Sequence, residues 1–145
     1  MAAHLADQSA HFPGELAARR PEGGAFSFVE HVWHLADLER EGFGARIRRL
    51  LAEDDPVLPD FDGARIARER DYRSRSVADG LAAFARARAE NIASLGALTD
   101  VERGRSGTQE GVGPLALRDL PARMGEHDSS HRKEIDELRH SLRTS

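Results

Sequence analysis

LRDLPARMGEHDSSHRKEIDELRHSL, residues 117–142, is the stretch on which the fold turns. Read as a helix at about 100° per residue, it places Leu117, Leu120, Met124, His127, His131, Ile135, Leu138 and Leu142 within an arc of roughly 80°. Two histidines therefore stand in an apolar stripe, one turn apart. Residues at i and i+4 have Cβ atoms about 5 to 6 Å apart, so two neutral imidazoles so spaced can grip one ion. A single core histidine is ordinarily satisfied by a carbonyl or carboxylate. A pair in an apolar stripe leaves nitrogens unpaired at about 1 to 3 kcal/mol each unless something binds them, and a divalent ion does so directly. Pro121 falls early in this helix, where a missing amide hydrogen is tolerated.

Working back along the chain, Ser27-Phe28-Val29-Glu30 predicts a capped helix start, and the helical pattern continues to Leu51. One stripe holds Val29, Val32, Trp33, Ala36, Phe43, Ile47 and Leu50. A second holds Phe28, His31, His34, Leu35 and Leu38, so this helix has neighbours on both sides. Ahead of it, Ala2 to Arg20 carries Leu5, Phe12 and Leu16 at loosely helical spacing, interrupted at Pro13-Gly14. Ser76-Val77-Ala78-Asp79 opens another helix with a stripe of Val77, Leu81, Phe84, Ile92 and Leu95 that ends near Gly96 or Leu98. The segment between Asp54 and Arg75 has no clean periodicity and is left unassigned. Thr99 to Pro114 reads as a loop, and no strand is expected. These elements predict one all-α domain over residues 1–145, an antiparallel four-helix bundle with one longer crossover and its site in the core.

Composition narrows the chemistry. The 145 residues suit one domain, 39 % hydrophobic and 32 % charged, with both signs interleaved as in a folded soluble protein. A net charge of −4, with no basic block bearing aromatics, argues against a nucleic-acid partner. No cysteine is present, so any metal must be held by His, Asp or Glu. The first thirty residues show no basic segment followed by an apolar run, and no stretch approaches a membrane span; a cytoplasmic location with no membrane partner is the expectation.

His34, mid-helix on the second stripe, is the expected third ligand to go with His127 and His131, with His31, one turn earlier, as its competitor. Three histidines and an open position describe a catalytic zinc geometry. The positions three before His127 and His34 are Met124 and His31, which disfavours a Glu-x-x-His di-iron site, and there is no H-E-x-x-H of a zinc protease. Asp37 and Asp128 could each orient a ligand or be solvated helix charges. Arg88, a cation in an apolar stripe, could clamp a substrate carboxylate or pair with an acid such as Asp37 or Glu39. His4, His11 and His140 are expected at the surface, and Asp62-Gly63 reads only as a turn.

His34-Leu35-Ala36-Asp37-Leu38-Glu39 after a capped start, the Phe84 to Arg88 segment, and His127-Asp128-Ser129-Ser130-His131 near the end together resemble the DinB/YfiT-like superfamily of bacterial metal-binding four-helix bundles. The likeness spans nearly the whole chain. It implies one divalent ion, commonly nickel or zinc, on His34, His127 and His131. It further implies a frequent homodimer and, for some members, transferase or isomerase chemistry with a low-molecular-weight thiol such as bacillithiol or mycothiol. Where members often have a threonine opening the last helix, this chain has Leu115-Ala116-Leu117. The leading expectation is a metalloenzyme in which the ion's open position takes water or a thiol sulfur and acts on a small-molecule electrophile, by thiol S-transfer or by hydrolysis. The alternative is a non-catalytic, metal-stabilised dimeric bundle with a stress-related interaction role.

Overall fold

Ser27 begins the rod that carries half of the candidate site: the Glu30 carboxylate accepts from its amide at 2.8 Å and from its hydroxyl at 2.9 Å. Arg20 donates to the same carboxylate, tying the preceding segment to the helix start. In the computed structural model, which describes residues 1–144, the rod runs as α2 (Phe28–Asp37), a π-helical segment (Leu38–Phe43) and α3 (Gly44–Ala52). The widened turn follows directly on the histidines, and such turns inside α-helices are frequent at functional sites. Nothing in the apolar spacing foretold it.

Four helical arms form the bundle. The first is α1 (Ala2–Ser9) with a 3₁₀ turn (Gly14–Ala18) after Pro13, the interruption expected there; Leu5 and Phe12 are buried, and Phe12 stacks on Phe28 with ring centroids 4.5 Å apart. The rod is the second. The unassigned crossover resolves into β1 (Val57–Leu58), α4 (Gly63–Glu69) and a 3₁₀ turn (Tyr72–Ser74). The third arm is α5 (Val77–Gly96), capped by the Ser76 hydroxyl on the Asp79 amide at 3.2 Å. A short α6 (Asp100–Arg103) follows, and the fourth arm is α7 (Leu120–Thr144), entered through a 3₁₀ turn (Leu117–Asp119) with Pro121 as its second residue. Among the described residues, no helix is long and apolar enough to cross a membrane.

Two readings need correction. Residues 99–114 are not only loop: β2 (Ser106–Gln109) and β3 (Gly113–Ala116) pair antiparallel, and β1 adds in parallel to β2 with Val57 opposite Thr108. Strands of two to four residues, one of them opening on Gly113-Pro114, are too short for alternation to register. Ile92, expected inward, is 60 % exposed. The buried face of α5 is Gly80, Phe84, Ala87 and Asn91, and Ile92 lies about 100° round from it. Gly80 sets that face: a Cβ there would fall 2.7 Å from Val32 Cγ1, so α5 and α2 approach closely only because the position carries no side chain.

The core has two apolar clusters stacked along the bundle. One contains Leu5, Phe28, Val32, Leu35, Phe84, Ile135 and Leu138; the other contains Leu38, Phe43, Ile47, Leu50, Leu58, Leu115, Leu117, Leu120 and Met124. On α7 the second cluster ends at Met124 and the first resumes at Ile135. His127 and His131 occupy the interval, so the histidines form a polar layer between two dry ones.

Candidate metal centre

α2 presents His31 and His34 one turn apart, and α7 presents His127 and His131 one turn apart. The packing of α2 on α7 brings these faces together. One nitrogen from each of His34, His127 and His131 can be chosen so that all three lie within 4.8 Å of one another. Ring centroids are 4.7 Å apart for His127 and His131, 4.9 Å for His34 and His131, and 6.0 Å for His34 and His127. His34 and His131 are buried and His127 is half-buried.

Aromatic rings and one glycine enclose the group. Phe26 and Phe61 lie against His34 at centroid distances of 5.6 and 5.9 Å, and Phe43 meets His127 edge-on at 6.1 Å. Gly63, the first residue of α4, faces the His34 ring. The turn signal Asp62-Gly63 gave no hint of this contact, because it depends on where the crossover folds back. Phe26, Phe43 and Phe61 were likewise not singled out as neighbours of the site.

His31 stands beside this trio. Its Nδ1 lies 3.1 Å from Nδ1 of His131, with the rings nearly perpendicular and centroids 5.3 Å apart. Glu134, one turn beyond His131, holds Oε2 3.8 Å from His131 Nδ1 and 4.0 Å from His31 Nδ1, too far for hydrogen bonds. The other acids are engaged elsewhere. Asp37, fully buried, accepts from Tyr72, from Arg70 at 2.8 Å and from Arg40 at 2.8 Å. Asp128 accepts from Arg88 at 2.8 Å, and the same guanidinium donates to Glu39 at 2.7 Å. Asn91 adds donations to the Glu39 backbone carbonyl and carboxylate. Arg88 is thus held by two carboxylates between helices, the ion-pair arrangement rather than an open clamp. His11 and His140 are exposed as expected, whereas His4 is half-buried.

Burial keeps these imidazoles neutral. It pushes His34 down to about 3, helped by His131, His127 and His31, and pushes His31 down to about 3, helped by His131. His127 and His131 are lowered as well, chiefly by burial, with Asp128 opposing in both. A neutral imidazole has the lone pair a cation needs. Nδ1 of His34 and Nδ1 of His127 are buried without a hydrogen-bond partner among the described residues. Three converging neutral imidazoles with orphaned nitrogens fit a divalent ion of the borderline class that prefers nitrogen.

The DinB superfamily profile matches residues 3–135. No curated protein sequence matches the chain. Among solved structures, YfiT from Bacillus subtilis, described as a probable metal-dependent hydrolase with an unusual four-helix bundle topology, superposes with a TM-score of 0.85. Its sequence is 21 % identical, and the match covers 97 % of this chain and 81 % of that one. At this identity the likeness establishes the shared fold.

Proposed function

The chain belongs to the DinB superfamily, and from that membership and its converging histidines we propose that it is a divalent-metal-dependent hydrolase of a small molecule. His34, His127 and His131 hold the ion, zinc or nickel. The observation that carries this reading is the convergence of three buried or half-buried imidazoles within 4.8 Å, two of them with an orphaned Nδ1. Bound there, the ion supplies Lewis acidity and makes a nucleophile available at neutral pH.

The chain's own residues do the rest. Burial keeps the ligands neutral, so protons compete weakly for them. Phe26, Phe43 and Phe61 line the histidine cluster and limit water around it, which strengthens electrostatic interactions in the site. The Arg88–Glu39–Asp128 cluster ties α5 and α7 to the rod and so holds the two histidine faces in register. Glu134, 48 % exposed and beside His131, is the nearby carboxylate with capacity to take a proton from a nucleophile.

A second reading, S-transfer from a low-molecular-weight thiol to an electrophile, draws on one observation. Asp37, Glu39 and Asp128 are all engaged by arginines, which leaves the base role to Glu134, and a thiol, ionising far more readily than water, asks less of that one carboxylate. The test is turnover by the metal-loaded chain on ester and amide panels, and on electrophiles with added thiol, each with and without chelator. Chelator-sensitive hydrolysis supports the first reading; chelator-sensitive thiol consumption supports the second. A chain that binds the ion and catalyses neither favours the third reading, a non-catalytic bundle that the ion stabilises.

A further inference from the structure

His31 and His131 face each other through their Nδ1 atoms at 3.1 Å, a hydrogen-bond distance, and both are buried. Two neutral imidazoles so placed share one hydrogen. If it sits on His131, then Nε2 of His131 is bare; if it sits on His31, then Nε2 of His131 carries the other hydrogen. Only a bare nitrogen can bind a cation. His31 already occupies Nδ1 of His131, so the nitrogen left for His34 and His127 is Nε2.

We propose that His31 is a positioning residue: by accepting a hydrogen bond from Nδ1–H of His131, it holds that ring in the tautomer whose bare Nε2 joins His34 and His127. This rests on the metal centre proposed above. In the present geometry His31 is the acceptor at hydrogen-bond distance from that hydrogen, the Glu134 carboxylate standing 3.8 Å away. A metal-ligating histidine that donates its second N–H to a neighbour gains a set orientation and greater basicity. Here the neighbour lies on another helix, so the bond also registers α2 against α7. A second ion held by His31, His131 and Glu134 is the rival arrangement. It requires both Nδ1 atoms bare, and then no hydrogen bond joins them.

The test uses the full chain stripped of metal and titrated with Zn²⁺ against a chromophoric chelator, with wild type, His31→Leu, His31→Asn and His127→Ala in parallel. His31→Leu removes the acceptor, and its affinity is expected to fall about 10- to 100-fold. His31→Asn places an amide oxygen where Nδ1 was and is expected to restore most of the affinity. Long-range ¹⁵N NMR of the wild-type imidazoles, which needs no variant to fold, is expected to show His131 protonated at Nδ1 and bare at Nε2. Wild-type affinity in His31→Leu, with binding lost in His127→Ala, overturns the role of His31 and leaves the centre standing. Equal weakness of the Leu and Asn variants overturns it, as does His131 protonated at Nε2. Two ions per wild-type chain and one in His31→Leu would make His31 a ligand instead. No ion bound by wild type removes the centre and the inference together.

Discussion

Gly63 and His34 leave no room between them for a methyl group: a Cβ on Gly63 would fall 2.5 Å from Cε1 and 2.7 Å from Nδ1 of the imidazole. A crossover element that carries no histidine therefore sets where the His34 ring can lie. Gly63→Ala is expected to push the ring aside, weakening Zn²⁺ binding by tenfold or more and costing about 1 to 3 kcal/mol from overpacking. Titration of the folded variant checks the first effect and urea denaturation the second. Unchanged affinity would mean that the His34 ring does not need its present position.

Arg88 and Asp128 are half-buried around the buried Glu39, their side chains 15 %, 17 % and 2 % exposed. Arg88→Met leaves the Glu39 carboxylate buried beside Asn91 without its cation, and is expected to destabilise the chain by about 3 to 5 kcal/mol. Arg88→Lys, which cannot reproduce the two-pronged geometry toward both acids, should recover only part of that. The measurement is equilibrium unfolding of the metal-free protein. A substrate-clamping Arg88 would instead leave stability intact and raise KM.

Tyr72→Phe isolates another buried acid, Asp37. The phenol donates to Asp37, and its own ionisation is pushed up by burial and by that carboxylate. Removing the hydroxyl is expected to cost about 1.5 to 3 kcal/mol, the range for a hydrogen bond to a charged group. Metal affinity should be retained, because Asp37 meets Tyr72 and arginines rather than a histidine. A large loss of affinity would tie Asp37 to the centre.

The four arms and the inward pair His127 and His131 were legible because 3.6-residue periodicity survives in single helices of 20 and 25 residues. The capped start at Ser27 was legible for the same local reason. The site's surroundings were not. Gly63 reaches His34 across 29 positions of chain, and the hairpin of β2 and β3 is too short to carry a pattern. Arg88 showed as a cation on an apolar stripe, yet its partners lie 49 and 40 residues away on other arms. The resemblance named a trio of ligands; that His31 would touch His131 required the helices to be packed.

The pH dependence of the metal-free protein follows from the same burial. His31 and His34 titrate near 3 in the folded chain and near 6.5 when unfolded. Above pH 6.5 both states hold them neutral and their contribution is constant. Between 6.5 and 3 the unfolded chain binds more protons, so stability is expected to fall as pH falls through that window. Melting temperatures of metal-free wild type and of His34→Leu from pH 8 to 4 check this. The variant should lose less stability on acidification; equal slopes would contradict it.

Metal content bears most directly on the central claim. Calorimetric titration of the stripped chain with Zn²⁺ is expected to give one site per chain, and saturation at 100 times Kd should raise stability by about 2.7 kcal/mol. His34→Ala, His127→Ala and His131→Ala should each abolish that site and the stabilisation with it. A variant lacking any one of these histidines that still binds one ion with wild-type affinity would contradict the account.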